Sequence, residues 1–154
     1  MTIAELISAE RVRSASGLNS KKRVIQELSR LLATDANGLT ESDIFTSLIN
    51  REKLGSTALG RGVAIPHGRV PGLTSTVGAF LRLQEGVDFD ASDARKVDLI
   101  FGLLVPEDTT EEHLKILSNL AGMFTDDDFC ARLRQAGDDR LLDLLSRHAP
   151  TPAA

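Results

Sequence analysis

The sequence predicts an α/β fold in which helices cover both faces of one central β-sheet. Short apolar runs that suit buried strands are interspersed along the chain with longer segments whose apolar residues recur at helical spacing. At 154 residues, without an internal repeat or a long linker, the chain has the size of one domain. We therefore expect a single domain over residues 1–149, followed by a flexible tail at 150–154.

Two long helices are predicted in the first third of the chain, after a short opening helix at residues 3–7 and a strand or loop entry at 11–17. Ser20 is a suitable N-cap for the first of them, and Thr40 with Asp43 resembles a capping box in front of the second. Their predicted inward faces are Val24, Ile25, Leu28, Leu31 and Leu32 in the first helix and Ile44, Phe45, Leu48 and Ile49 in the second.

Three apolar runs predict strands. Residues 63–65 stop at a proline, and residues 76–83 alternate in part between apolar and other side chains. Residues 97–105 are almost wholly apolar, which is typical of a strand covered on both faces. The polar residues 86–95 predict a loop, with Phe89 as its apolar anchor.

Three helices are predicted in the C-terminal third. Thr109 and Glu112 resemble a capping box, residues 125–128 start the next helix, and residues 138–147 form the last. His148, at the end of that helix, is predicted to be exposed. The residues predicted to face inward are Leu114, Leu117, Leu120, Ala121 and Phe124, then Phe129, Cys130 and Leu133, then Leu141, Leu142, Leu144 and Leu145.

Composition argues against several classes of function. A net charge of −4, with no tryptophan or tyrosine to stack on bases, argues against nucleic-acid binding. The longest apolar run, residues 99–105, is far shorter than the ~20 residues of a membrane span, and the acidic N-terminal segment is unlike a secretory signal. The single Cys130 excludes an internal disulfide and fits a reducing compartment. We therefore expect a cytoplasmic protein without membrane insertion.

One stretch combines residue types suited to chemistry with an anion. It places His67 after a short apolar run and Pro66, with arginines at 51, 61 and 69. An imidazole is a usable nucleophile at neutral pH because its ordinary pKa lies near ~6.5. Pro66 should end the preceding strand, which leaves His67 on the loop that follows.

The same stretch is rich in glycine and hydroxyl groups. Glycines at positions 55, 60, 62 and 68 allow positive φ and the close approach of a ligand or a partner backbone. Ser56 and Thr57 add hydroxyl donors.

This block resembles the IIA family of the bacterial phosphoenolpyruvate phosphotransferase system, in its fructose/mannitol class and most closely in its nitrogen-regulatory branch, IIA-Ntr. The resemblance rests on the Arg-Glu-Lys segment at Arg51, the Gly-Ser-Thr turn, the Ile-Pro-His-Gly motif at His67 and the Glu-His-Leu segment at His113. Ala58 and Arg61 depart from the glycine and asparagine that the family often has there. These changes leave the histidine motif intact but affect the geometry of the turn.

The resemblance implies a role for each of these residues. His67 would take a phosphoryl group on Nε2 from an HPr-like phosphocarrier, with Nδ1–H held by a backbone carbonyl and with Arg51 and His113 beside it. The sheet would be mixed, and neither a metal nor a cofactor would be needed. Regulatory partners would include potassium-transport and sensor-kinase proteins. The phosphate-binding residues are expected to be Ser56, Thr57 and Gly60.

Simpler structural roles compete with these assignments. A cation near a helix C-terminus, as expected for Arg51, is stabilising by itself, and a histidine on an apolar helix face such as His113 is often a core residue. The basic segment at residues 21–23 is either a solvated face or a docking patch for an acidic partner.

Other functions remain open at this point. A sugar-specific IIA that passes phosphate to a IIB domain uses the same chemistry, whereas a non-catalytic interaction module would have inert histidines. Two histidines 46 positions apart, 113 minus 67, make a poor zinc signature, and no nucleophile-elbow pattern supports a hydrolase.

Overall fold

The computed structural model describes residues 2–35, 38–108 and 110–148. The predicted tail at 150–154, the predicted domain end at 149 and the predicted cap at Thr109 lie outside these residues. The helices are α1 (Ile3–Leu6), α2 (Lys21–Leu32), α3 (Glu41–Leu54), α4 (Thr110–Phe124), α5 (Asp127–Gln135) and α6 (Leu141–Arg147). The strands are β1 (Val12–Ala15), β2 (Ala58–Gly60), β3 (Val63–Ala64), β4 (His67–Val70), β5 (Val77–Val87) and β6 (Val97–Pro106). Short 3₁₀ turns lie at Ala9–Arg11, Ala33–Asp35 and Asp138–Arg140.

The six described strands form one mixed sheet. Their order is β1-β5-β6-β3-β2, and β4 also pairs with β6. β5 and β6 are antiparallel, whereas β1 runs parallel to β5, and β3 and β4 run parallel to β6. β2 returns antiparallel to β3. The predicted α/β class and the mixed sheet are confirmed.

The strand before Pro66 resumes directly after it. β3 pairs with Leu99 and Ile100 of β6, and β4 pairs with residues 103–106 of the same strand. The Pro66 carbonyl still accepts a hydrogen bond from Leu103 N at 3.0 Å, so the ladder is interrupted but not ended. The prediction that His67 lies on a loop is therefore wrong, because His67 is the first residue of β4.

Each face of the sheet has its own apolar core. One core joins α2 and α3 to the sheet, and the other joins α1, α4, α5 and α6 to the opposite face. The predicted inward residues of α2 are all buried, at 0–1% exposure. Gly102 lets α2 approach β6 closely, because an added Cβ there would lie 2.5 Å from Leu28 Cδ2. The residues along β6 are buried on both faces, as predicted.

The predicted starts of three helices are confirmed, whereas the last helix, predicted from residue 138, begins at Leu141 after a 3₁₀ turn. Ser20 Oγ accepts a hydrogen bond from Arg23 N, and Thr40 with Asp43 forms a complete capping box at α3. Asp126 caps α5 by accepting from Phe129 N at 3.0 Å.

Three predictions are wrong in detail. β5 extends to Val87, into the predicted loop, because it continues its pairing with β6 at Val97. Leu114 does not face inward, since it is 63% exposed. The His148 side chain is only 9% exposed because it packs on the Phe129 ring.

Within the described residues, no helix combines the length and apolar character that crossing a membrane requires.

Candidate functional site

A cleft of about 860 Å³ opens where α3, β4 and the start of α4 meet. It brings together three residues that the sequence singled out, Arg51, His67 and His113. Its lining residues are Leu39, Asp43, Thr46, Ser47, Asn50, Arg51, His67, Gly68, Arg69, Val70, Pro71, His113, Leu114 and Leu117.

His67 is half-buried at the start of β4, and its ring is held by its own backbone. Nδ1 lies 2.8 Å from the Ile65 carbonyl oxygen. A carbonyl oxygen can only accept, so Nδ1 carries the ring proton in this hydrogen bond and Nε2 keeps its lone pair. The predicted bond from Nδ1–H to a backbone carbonyl is present, and Nε2 is the nucleophilic atom of the ring.

His113 lies beside His67, on the fourth residue of α4. The two ring centroids are 5.2 Å apart and the planes are nearly perpendicular, at 89°. His113 is only 6% exposed, and its Nδ1 is a buried polar atom without a hydrogen-bond partner among the described residues. An unpaired buried polar atom costs stability, about 1–3 kcal/mol in general, so this one calls for a functional explanation.

The cleft favours the neutral form of both imidazoles. Burial is the main cause that lowers the pKa of His67, and Arg51 and Arg69 lower it further, against opposing effects of the Ile65 carbonyl and Glu52. Burial also lowers the pKa of His113, helped by the charges of His67, Arg69 and Arg51. A neutral His67 is the reactive form, because only that form has a free lone pair.

The three arginines near His67 in sequence separate in the structure. Arg51 and Arg69 line the cleft, and Arg51 Nη1 donates to the Gly55 carbonyl at 3.0 Å. Arg61 is turned away, and its Nη1 donates to the Thr125 carbonyl at 3.1 Å. Two of the three cations therefore remain available to an anion at His67.

The two predicted hydroxyl donors have partners inside the protein. Ser56 Oγ donates to the Phe89 carbonyl at 2.6 Å. Thr57 gives both its N–H and its hydroxyl to the Glu52 carboxylate, at 3.0 and 2.7 Å. Glu52 is also paired with Lys21 at 2.8 Å. Neither hydroxyl lines the cleft, so the structure does not bring Ser56 and Thr57 to His67.

Gly60 is also outside the cleft. Its φ of +88° makes the tight turn into β3, and an added Cβ would lie 3.2 Å from the Asp93 carboxylate. That carboxylate accepts from Arg61 N at 2.8 Å, a bond that lowers the pKa of Asp93. The N–H group that follows Gly60 is therefore already bound to an anion of the protein itself.

The sequence reasoning missed residues that α3 contributes to the cleft. Asn50 and Ser47 line it, and Ser47 Oγ donates to the Arg69 carbonyl at 3.2 Å. Gly68 makes this approach possible, because a Cβ there would lie 2.3 Å from Ser47 Oγ. The glycine after His67 was the available signal, since it marks a close approach by a neighbouring element.

Within the described residues, no group of three or more His, Cys, Asp or Glu side chains could hold a metal ion. Cys130 is buried in the core, as predicted, and its thiol pKa is raised mainly by burial.

The sequence and the fold both match known proteins over nearly the whole chain. The family model for the phosphoenolpyruvate-dependent sugar phosphotransferase system, EIIA 2, matches residues 5–148. The chain is 40% identical to the nitrogen regulatory protein of Bradyrhizobium diazoefficiens over 154 residues, covering 100% of each. It is 49% identical to the nitrogen regulatory protein of Pseudomonas aeruginosa over 117 residues, covering 76% of each.

A solved structure agrees in fold. The crystal structure of the nitrogen regulatory protein IIA-Ntr from Neisseria meningitidis superposes with a TM-score of 0.86 at 43% identity, covering 93% of this chain and 98% of that one. The chain therefore belongs to the EIIA type 2 family of the phosphoenolpyruvate-dependent phosphotransferase system, among its nitrogen-regulatory IIA-Ntr members.

Proposed function

We propose that this protein accepts a phosphoryl group on His67 from an HPr-like phosphocarrier and regulates partner proteins according to its phosphorylation state. One observation carries the proposal. The His67 ring is fixed through Nδ1 at 2.8 Å from the Ile65 carbonyl, in a cleft it shares with Arg51 and His113. This geometry supports a neutral nucleophile whose free nitrogen needs no further activation.

The reaction is an exchange of one P–N bond for another. The Nε2 lone pair of His67 forms a bond to phosphorus while the bond between phosphorus and the carrier's imidazole nitrogen breaks, and the carrier's imidazole leaves with that electron pair. His67 neither gains nor loses a proton in this step, because its Nδ1–H stays bonded to the Ile65 carbonyl. Catalysis of such a transfer is largely positioning and electrostatic stabilisation, which a metal-free site can supply.

Arg51 and His113 are assigned to the phosphoryl oxygens. Arg51 supplies a cation from the last turn of α3, and its bond to the Gly55 carbonyl positions it. His113 supplies a neutral donor, and its unpaired buried Nδ1 supports a ring that gains hydrogen bonds only when an anion is present. The donors of Ser56 and Thr57, and the N–H that follows Gly60, already have internal partners. We therefore assign these three residues to shaping the loop rather than to contacting phosphate.

The rim of the cleft suits a protein partner. Besides the buried Val70, four apolar residues line it, Leu39, Pro71, Leu114 and Leu117, and Leu114 is 63% exposed. A phosphate on His67 places about two negative charges in the middle of this surface, which can permit or block a partner. We place the protein in the cytoplasm as a single domain over residues 1–149, with targets of the potassium-transport or sensor-kinase type.

Phosphorylation by the purified carrier tests the acceptor. The protein is incubated with phosphoenolpyruvate, enzyme I and the carrier, and acid-labile phosphate is measured for wild type, His67→Ala and His148→Gln. His148 lies outside the cleft against Phe129, so its variant is the matched control. We expect labelling of wild type and His148→Gln but not of His67→Ala. Equal labelling of His67→Ala would remove His67 from its role, and absent labelling of all three would favour the non-catalytic module.

A sugar-specific role is the second candidate, and the matching family's description, which names a sugar phosphotransferase system, favours it. In one experiment the phosphorylated protein is mixed with a fructose or mannitol IIB domain, and phosphate transfer to that domain is measured. In a second experiment, the partner proteins captured by the phosphorylated and the free forms are compared. A regulator should bind its targets in only one of the two forms, phosphorylated or free, and should transfer little phosphate to the IIB domain. Rapid transfer to the IIB domain would assign the sugar-specific role instead.

A further inference from the structure

We propose that Arg69 is a second phosphate-binding residue of this site, its guanidinium contacting the phosphoryl oxygens on His67 opposite Arg51. The inference rests on the proposed function and adds a residue to it.

The strand itself places Arg69 next to the acceptor. Residues two apart on a strand point to the same face, and their Cα atoms lie roughly 6.6 Å apart at the usual rise. His67 and Arg69 have this relation on β4, whereas Gly68 and Val70 face the opposite side, where both are buried. An arginine side chain spans that distance easily, so its guanidinium can reach a group bonded to His67.

The backbone of Arg69 is held on both sides. It pairs with Val105 of β6, and its carbonyl accepts the Ser47 hydroxyl of α3 at 3.2 Å. The base of the side chain is therefore fixed before any ligand arrives, which lowers the entropy lost on binding.

The described residues leave the Arg69 guanidinium free, unlike most of the other arginines. Arg61, Arg82 and Arg134 donate to carbonyl or carboxylate groups of the protein. Across the part of the chain that the structure describes, Arg69 makes no side-chain hydrogen bond or ion pair. Asp43 also lines the cleft, but its carboxylate serves the α3 capping box. An exposed cation that has no partner among the described residues, next to the half-buried His67, suits an anion that arrives with the substrate.

Its charge already acts on both imidazoles. Arg69 lowers the pKa of His67 and of His113. Burial is the main cause of the lowered pKa of His67, and the charge of Arg69 adds to it. The same charge would stabilise the phosphoryl dianion after transfer, and a guanidinium offers two parallel donors to two oxygens.

The test separates contact with phosphate from docking of the carrier. Four proteins are compared: wild type, Arg69→Met, Arg69→Lys and the control Arg13→Met, which removes an exposed arginine on β1. Each is phosphorylated, freed of the carrier, and titrated by ³¹P NMR, and the rate of phosphate acceptance is measured separately. We expect Arg69→Met to accept phosphate about tenfold more slowly. In the same variant the pKa of the bound phosphoryl group should rise, with a smaller rise in Arg69→Lys and none in Arg13→Met.

Two results would overturn the inference. An unchanged phosphoryl titration in Arg69→Met, with slower acceptance, would assign Arg69 to the carrier interface instead. Unchanged titration and unchanged rate would make it a bystander. Failure of the proposed function would give a different result, because His67→Ala would then be labelled like wild type. The role inferred for Arg69 would fail as well, since it depends on a phosphate at His67.

Discussion

Two charged clusters meet at residues 51–57 and differ in how completely their polar groups are paired. In the Lys21–Glu52–Thr57 cluster, the Glu52 carboxylate is 2% exposed, forms an ion pair with Lys21 Nζ, and accepts hydrogen bonds from Thr57 N and Thr57 Oγ1. In the cleft, the Arg69 guanidinium has no hydrogen-bond or ion-pair partner among the described residues, and His113 Nδ1 is buried and unpaired. Adjacent residues Arg51 and Glu52 belong to different clusters. The closed cluster holds the fold together, and the open one has donors left for a ligand.

The closed cluster also supports the open one. Glu52 fixes Thr57, and the Gly55 carbonyl two residues before Thr57 holds the Arg51 guanidinium at 3.0 Å. Changes in the closed cluster should cost stability, and changes in the cleft should cost phosphate transfer.

The largest expected effect is on stability. Lys21→Met leaves the buried Glu52 carboxylate without its cation, and we expect the free energy of unfolding to fall by about 3 kcal/mol, as for other broken buried ion pairs. Urea denaturation measures it. The control is Lys22→Met on the same turn, whose exposed side chain should change stability by less than about 0.5 kcal/mol. Equal stability of the two variants would contradict the idea of a closed, stabilising cluster.

The next effect is on transfer. We expect Arg51→Ala and His113→Leu to accept phosphate at least ~10-fold more slowly, which corresponds to about 1.4 kcal/mol of barrier. His113→Leu should lose little stability, because it removes a buried nitrogen that has no partner. Rapid-quench kinetics and urea denaturation of the same samples measure both quantities. Loss of stability with unchanged kinetics would make His113 a core residue.

For Ser56 we expect a smaller effect of the opposite kind to that at His113, with lower stability but nearly unchanged phosphate transfer. Ser56→Ala removes the hydrogen bond to the Phe89 carbonyl, and we expect a loss of about 1 kcal/mol in unfolding free energy. Because Ser56 does not line the cleft, the rate of phosphate acceptance should stay within about twofold of wild type, well short of the tenfold that defines a lost contact. A tenfold slower rate would instead restore the phosphate-binding role that the sequence suggested.

The smallest effect is a dependence of stability on pH. Folding lowers the pKa of His67 and of His113, so the native state binds fewer protons than the unfolded chain. The stabilisation is complete above the unfolded pKa of about 6.5 and is lost as pH falls from there through the folded values. Denaturation between about pH 5.5 and 7.5 should show this slope in wild type and a shallower one in His67→Gln/His113→Leu. Equal slopes would mean that the cleft does not hold the two rings neutral.

The sequence predicted the fold well where one local pattern decides the structure. The apolar spacing of α2, the capping box of Thr40 and the doubly buried β6 are all present. Leu114 was predicted to face inward because helical spacing shows which face of a helix is apolar. It does not show which part of that face the rest of the protein covers. His67 was misplaced because Pro66 interrupts a strand without ending it when its carbonyl can still pair.

The site was predictable in its central residues but not in its partners. The family resemblance, through one short segment at each position, singled out Arg51, His67 and His113, which the structure brings into one cleft. The inward hydrogen bond of Ser56 and the outward one of Arg61 are made to residues 33 and 64 positions away in the chain. Thr57 bonds inward because Glu52 is buried, which only the fold decides. Such contacts leave no trace in local spacing.

The central claim concerns which ring nitrogen of His67 takes the phosphoryl group. It is tested most directly by NMR of ¹⁵N-labelled protein after phosphorylation by the carrier, through the scalar coupling between phosphorus and the imidazole nitrogens. The account predicts phosphorus bonded to Nε2 of His67, with Nδ1 still protonated and bonded to the Ile65 carbonyl. Phosphorus on Nδ1, or on either of the other two histidines, would contradict it.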